Sequence, residues 1–404
     1  MGKDVELLPH CDETILQSMA KTCGDFDIFC VYLLKDHVKL SKKTRNIGRK
    51  DCFTLNGMLQ VREDFEKPGR DQDRYYIINY FYYAAFKYRI LEIDEKGTGA
   101  EEGIHYDLFQ NASIPEKYLL LIACFLLDRS FLKYDVDISW TLGEVMEWAV
   151  SVKDGEKEVY DLPSEINAGY DGSSLRILFR YLEELGAARI KDAEELESKR
   201  GRTKWKWQVE TGPILPLLCD LWQYAPRYPE PGGVEELADF IFGDYVKNIS
   251  GDLFTGNILK LFEEPDKKEY SDQLIELEIK VRYGSCVRCV CMNMTDTLYD
   301  LHWMIQKVFE FDNNHLFAFY IGHGMMRETY TIEEAVTNGE ELSVKDTELG
   351  MLELRKGQSF SYLFDFGDMW WFDIKVLGIK EGNVPFPQLT KAVNPAPEQY
   401  PVWE

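Results

Sequence analysis

The chain has 404 residues, a formal charge of -24, and 45% hydrophobic and 14% aromatic residues. That length supports two or three domains, each with its own core. The acidic excess repels nucleic-acid phosphates and bare anionic membranes, so any nucleic-acid role has to come from a local basic patch.

The start, MGKDVELLPHCDET, carries acids where a secretory signal needs an apolar core. Gly2 precedes Lys3, Asp4, Val5 and Glu6, without the Ser or Thr of a myristoylation signal. The longest apolar run, Tyr118 to Leu127, is too short to span a bilayer and reads as a buried helix. Nine cysteines scattered through so long a chain read as free thiols in a reducing compartment. These features predict a cytoplasmic protein without membrane contact.

In chain order, Phe26 to Asp36 is apolar at helical spacing. A basic turn follows, then helices near Arg49 to Leu59 and Asp71 to Tyr88. RILEID (Arg89 to Asp94) reads as a strand, EKGTGAEEG as a turning tip, and IHYDLF (Ile104 to Phe109) as the returning strand. Ile114 to Leu132 supplies a buried helix. Thr141 is a plausible cap for a helix to Ser151, and Ser173 to Gly186 is amphipathic, with Leu175, Leu178, Phe179 and Leu182 on one face. ARIKD and KWKWQVE (Lys204 to Glu210) then flank the polar tip EELESKRGRT. Helices followed by a hairpin, twice over, predict two winged-helix-like units, 1–113 and 114–225, with a helical linker over 226–271. PRYPEPGG (Pro226 to Gly233) breaks the chain, and EEPDKKEYSD (Glu263 to Asp272) marks the best boundary.

The last unit, 272–404, opens on LIELEIKVRY, whose strict alternation is a half-buried strand. SCVRCVCMN pairs with it. A helix follows, with Thr297 as cap and Leu298, Leu301, Ile305 and Val308 as core stripe. HLFAFYI, Leu349 to Leu354, Phe360 to Phe364 and Asp368 to Ile379 add strands, and the proline-rich tail from Glu381 runs extended over the surface. The predicted fold is multidomain: a mainly α-helical N-terminal part with two winged-helix-like units, then an α+β domain with one amphipathic helix on a mostly antiparallel sheet.

TLYDLHWMIQKVFEFDNNHLFAF followed by FSYLFDFGDMWWFDI resembles the family named after the third open reading frame of a root-inducing plasmid, whose relatives include passenger proteins of bacterial insertion elements. The match runs through Leu298, Leu301, His302, Ile305, Gln306, Phe309, Asp312, His315, Leu316, Phe319, Asp365, Phe366, Gly367, Asp368 and Trp370. It covers about Asp272 to Glu404. Family members usually carry acids around the tryptophan and a histidine two positions after it; Met369, Trp371 and Phe372 stand there in this chain. The resemblance implies a fold and a bacterial, mobile-element setting rather than a mechanism.

Asp365 and Asp368 flank Phe366-Gly367, a pattern for a divalent cation or an acid–base pair, but equally good turn chemistry. His302 and His315 either converge on these acids or sit at an interface bonded to backbone. No kinase set surrounds the D-F-G letters, and Gly97, Gly99 and Gly103 miss dinucleotide spacing. Cys286, Cys289 and Cys291 lack a fourth ligand for zinc. No catalytic residue, metal ligand or cofactor is assigned.

The basic turn holds Lys39, Lys42, Lys43, Arg45, Arg49 and Lys50 with no acid between them. The second wing carries Lys199, Arg200, Arg202, Lys204 and Lys206, interleaved with Trp205 and Trp207. These cations suit phosphate contact, or else balance local acids. The expectation is a non-enzymatic, nucleic-acid-associated or regulatory protein with double-stranded DNA or a protein as partner. The alternatives are a protein-interaction scaffold, or a ligand-binding or hydrolytic C-terminal domain using Asp365 and Asp368.

Overall fold

The computed structural model describes residues 12–35, 37–42, 44–94, 96–128, 136–155, 157–164, 166, 172–199, 202–223, 245–262, 267–322, 327–333 and 341–399. The chain divides into two compact units, Met1–Phe262 and Glu263–Glu404. Among the described residues no helix is long and apolar enough to cross a membrane.

The N-terminal unit runs α1 (Glu13–Leu33), α2 (Arg49–Asn56), α3 (Tyr76–Lys87), β1 (Leu91–Ile93), β2 (Ala100–Glu102), α4 (Tyr106–Gln110) and α5 (Ile114–Ala123). It continues with α6 (Val136–Val152), β3 (Val159–Asp161), α7 (Ser173–Glu184), β4 (Ala188–Lys199), β5 (Arg202–Thr211), α8 (Leu215–Trp222) and α9 (Val246–Ser250). β1 and β2 form a hairpin, and the order β3-β5-β4 makes a second small sheet.

The first hairpin corrects the expected returning strand. IHYDLF is not a strand; its second half is α4. Asp94 Oδ1 accepts the Thr98 N–H at 2.7 Å and Gly97 takes a positive φ of 69°, so the turn closes early and β2 is the returning leg. Gly103 then lies against the Arg89 carbonyl, where a Cβ would stand 1.9 Å from the oxygen. Thr141 is likewise no cap: it is buried inside α6, which begins at Val136. PRYPEPGG lies outside the described residues.

The helices ahead of the two hairpins are buried on more than one side. α7 buries the predicted Leu175, Leu178, Phe179 and Leu182, and also Ile177 and Tyr181. α3 buries nine of its twelve residues. The two meet through Tyr181, whose ring lies 6.4 Å from Tyr76 and 5.9 Å from Tyr80.

The C-terminal unit runs α10 (Lys267–Tyr270), β6 (Gln273–Val281), β7 (Val287–Asn293), α11 (Leu298–Phe309), β8 (Phe317–Ile321), β9 (Glu328–Thr331), β10 (Leu342–Ser343), β11 (Ser359–Phe364), β12 (Trp370–Glu381) and β13 (Gln388–Val393). Its mixed sheet has eight strands in the order β10-β9-β8-β11-β12-β6-β7-β13, with only the β10–β9 pair parallel. α11 covers one face. Thr297 caps it as predicted, in a reciprocal box with Asp300, and Leu298, Leu301, Ile305 and Val308 join the core.

Two expectations fail here for packing reasons. Leu349–Leu352 is a 3-10 turn rather than a strand, with Gly350 pressed onto the Tyr270 ring, where a Cβ would stand 2.1 Å away. The tail is not merely extended: β13 pairs antiparallel with β7. Arg288 holds it there. Its buried guanidinium donates to the carbonyls of Val308, Val393 and Asn394 at 2.9, 3.2 and 2.9 Å, joining the end of α11 to the tail. Arg288→Ala removes these charge-assisted bonds and is expected to cost roughly 2–4 kcal/mol. Urea unfolding measures the loss, and faster amide exchange confined to β13 and the end of α11 identifies its origin.

Candidate functional site

The family-signature residues gather at one end of the sheet, beside α11. His302, on α11, is fully buried and stacks on Phe317 with ring centroids 3.6 Å apart. Its Nδ1 lies 2.6 Å from the Tyr362 hydroxyl and its Nε2 2.9 Å from Asn313 Oδ1, while the Gln306 amide donates to the same hydroxyl at 2.9 Å. The directions that satisfy all three run Gln306 N–H to Tyr362, Tyr362 O–H to Nδ1, and Nε2–H to Asn313, so the ring is neutral. Burial pushes the His302 imidazole down to about 4, only partly opposed by the Asn313 bond.

A cleft of about 390 Å³ opens over this network, lined by Tyr299, His302, Asn313, His315, Leu316 and Ile332 among others. At its edge His315 Nε2 lies 3.4 Å from Asp365 Oδ2, with His315 well exposed and Asp365 nearly buried. The structure thus brings His315 to Asp365, but His302 to Tyr362 and Asn313.

Asp365 and Asp368 have different environments. Asp365 Oδ1 accepts the N–H groups of Gly367 and Asp368 at 2.9 and 3.2 Å, and its own N–H bonds the Leu316 carbonyl at 3.0 Å. Asp368 is exposed. This is turn chemistry with one departure from expectation: the positive φ values fall on Asp365 (59°) and Met369 (58°), not on Gly367. Space at Gly367 is tight, since a Cβ there would stand 3.2 Å from Asp365 Oδ1. Trp370 begins β12 and packs edge-on against Phe311 at 4.8 Å.

The basic turn is only partly open. Arg45 donates to the Gly97 carbonyl and so pins the first hairpin, and Arg49 pairs with Asp71 at 2.8 Å. Lys39, Lys42 and Lys50 are exposed, and Lys43 lies outside the described residues. In the second wing Arg200 is also outside them, and the strand register sets Lys204 opposite Glu197, Lys206 opposite Glu194 and Arg202 opposite Lys199. Of these register pairs, Lys206 and Glu194 set opposite charges across the strands. Trp205 and Trp207 share a face as read, with the Arg176 guanidinium 5.0 and 4.9 Å from their rings. Cys286, Cys289 and Cys291 are buried free thiols. Among the described residues no group of three or more His, Cys, Asp or Glu is placed to hold a metal.

Asn313 and Tyr362 were not singled out by sequence. Nothing in their spacing pairs them with His302: Tyr362 reaches it from β11, and Asn313 from the segment between α11 and β8. Residues 273–399 match the family described as plasmid pRiA4b ORF-3-like protein. A solved protein of unknown function, MM3350 from Methanosarcina mazei Go1, is similar at 23% identity over 30% of this chain and 69% of that one, with a TM-score of 0.27. No curated protein matches the chain.

Proposed function

We propose that this chain is a non-enzymatic binding protein: a scaffold of two winged-helix-like repeats for a protein partner, followed by an interaction domain. The repeat reading is supported by element order. In its support, α1, a bridge at Leu40 hydrogen-bonded to Thr98, α2, α3, β1 and β2 come in the order of a winged helix, and α6, β3, α7, β4 and β5, with sheet order β3-β5-β4, come in that order without a second helix among the described residues. One observation carries the choice of partner. α3 and α7 stand where a winged helix places the helix that enters the major groove, and both are buried, packing on each other. The absence of an assigned catalytic role follows from His302 and Asp365 being bound to internal partners. The family's plasmid name makes a bacterial mobile-element setting part of the proposal. Native purification with and without nuclease tests it: a protein that stays bound after nuclease is expected, and co-purification of nucleic acid alone counts against it.

A second reading has its own observation, the exposure of Lys39 and Lys42 on the turn and of Lys50 at the start of α2. If that turn grips duplex phosphates, changing all three to Ala weakens binding and lowers the log–log salt slope by about 3. An unchanged slope removes the reading.

A further inference from the structure

The face of the eight-stranded sheet opposite α11 gathers cations that lie far apart in sequence. Directly opposed residues of antiparallel strands share a face. Lys280 opposes Asp373, Lys375 opposes Glu278, Glu278 opposes Cys289, and Cys289 opposes Lys391. Tyr320 and Asp373 both oppose Ser361. Arg282 and Lys380 follow on the same face, paired with Asp373 and Glu276.

Across one end of this face, where β6 ends and β12 begins, runs a row of alternating guanidinium and aromatic groups. Arg327 lies 5.0 Å over Tyr320, the Tyr320 and Trp371 rings are 5.4 Å apart, and Arg282 lies 4.6 Å over Trp371. Arg282 is steadied by Asp373 at 2.6 Å and Ser361 at 2.8 Å. Six cations, Lys280, Arg282, Arg327, Lys375, Lys380 and Lys391, stand against Glu276, Glu278, Asp373 and the nearby Glu341. Lys280, Arg327, Lys375 and Lys391 are exposed. In a chain of charge -24, this face has the reverse balance.

We propose that this sheet face, on which Tyr320 and Trp371 are half-buried and Lys280, Arg327, Lys375 and Lys391 exposed, binds single-stranded nucleic acid. A sheet surface that combines aromatic rings with cations suits an unpaired strand, whose bases stack on rings or guanidinium planes while its phosphates meet the cations. A duplex hides its base faces, and an acidic peptide has no use for the Tyr320–Trp371 pair, so neither fits the whole set. The surface shares no residue with the cleft or the basic turn, and it extends the proposed function to a second class of partner.

The test is fluorescence anisotropy of the full chain with a labelled oligothymidylate of about fifteen nucleotides, which spans one such site. A same-length duplex and polyglutamate serve as competitors. Trp371→Ala is expected to weaken binding roughly ten-fold. Lys280→Glu with Lys375→Glu is expected to abolish it with the circular dichroism spectrum unchanged, which covers the case that Trp371→Ala misfolds. The Lys39, Lys42 and Lys50 triple change leaves it intact, so this result and the duplex result at the basic turn stand or fall separately. No binding, equal competition by duplex, stronger competition by polyglutamate, or indifference to the Lys280 and Lys375 reversal each overturns the proposal.

Discussion

Glu116→Ala is expected to destabilise the N-terminal unit by roughly 3–5 kcal/mol, the largest effect of any single truncation proposed for this protein. Glu116 is fully buried at the start of α5, yet its carboxylate has donors on every side. Oε2 accepts from the Ser113 N–H and hydroxyl at 2.8 and 2.7 Å and from the Thr255 hydroxyl at 2.7 Å; Oε1 accepts the Gly256 N–H at 2.7 Å. One side chain therefore caps a helix and ties down a segment about 140 residues away. Alanine removes the shared acceptor of four charge-assisted bonds from donors that are only half-buried or exposed, and leaves a cavity where the fully buried carboxylate stood. Glu116→Gln keeps one acceptor oxygen and is expected to lose about half as much. Denaturant unfolding gives the magnitude, and exchange at the Thr255 and Gly256 amides shows whether the tie has gone. A loss below about 1 kcal/mol for the alanine variant would show that Glu116 does not hold the two segments together.

The second large effect is acid lability of the C-terminal domain through His302. Its imidazole is held down to about 4 in the folded state by burial, against an ordinary value near 6.5 in the unfolded chain. Between those values the unfolded chain binds the proton and the folded chain does not, so stability falls as pH falls. The contribution is complete above about pH 6.5 and is lost on going down to about pH 4, for a total of roughly 3 kcal/mol. Physically, a protonated ring needs two acceptors, and Nδ1 faces a hydroxyl already donating to it, in a pocket closed by Phe317. His302→Gln removes the titration and should flatten stability across this window, even if it lowers stability at pH 7. A variant that keeps the parent's full slope between pH 6.5 and 4 would assign the acid lability to another group.

The elements most legible in sequence were those whose signal is local. Strict alternation predicted β6, a cap followed by an apolar rhythm predicted α11, and an apolar face alone predicted α7, because face burial and capping are settled within one turn or one pleat. The signature residues from His302 to Trp370 also pointed to their family without coordinates. IHYDLF shows the limit: its alternation suits a strand, but a tight turn at Asp94 to Gly99 had already completed the hairpin. β13 was hidden because its stability comes from β7 and Arg288, about one hundred residues away.

Sequence by itself determined the amphipathic face of α7, the capped entry to α11, the acidic balance and the plasmid-type C-terminal domain, all of which depend on neighbours along the chain. Tertiary structure decided what those residues are available to do. It buried α3 against α7, committed Arg45 and Arg49 to internal partners, and turned Asp365 inward to its own backbone. It also assembled one cationic, aromatic face from residues spread between Lys280 and Lys391. Strand register brings such residues together across the sheet, and register is a property of pairing between distant segments that no local spacing records.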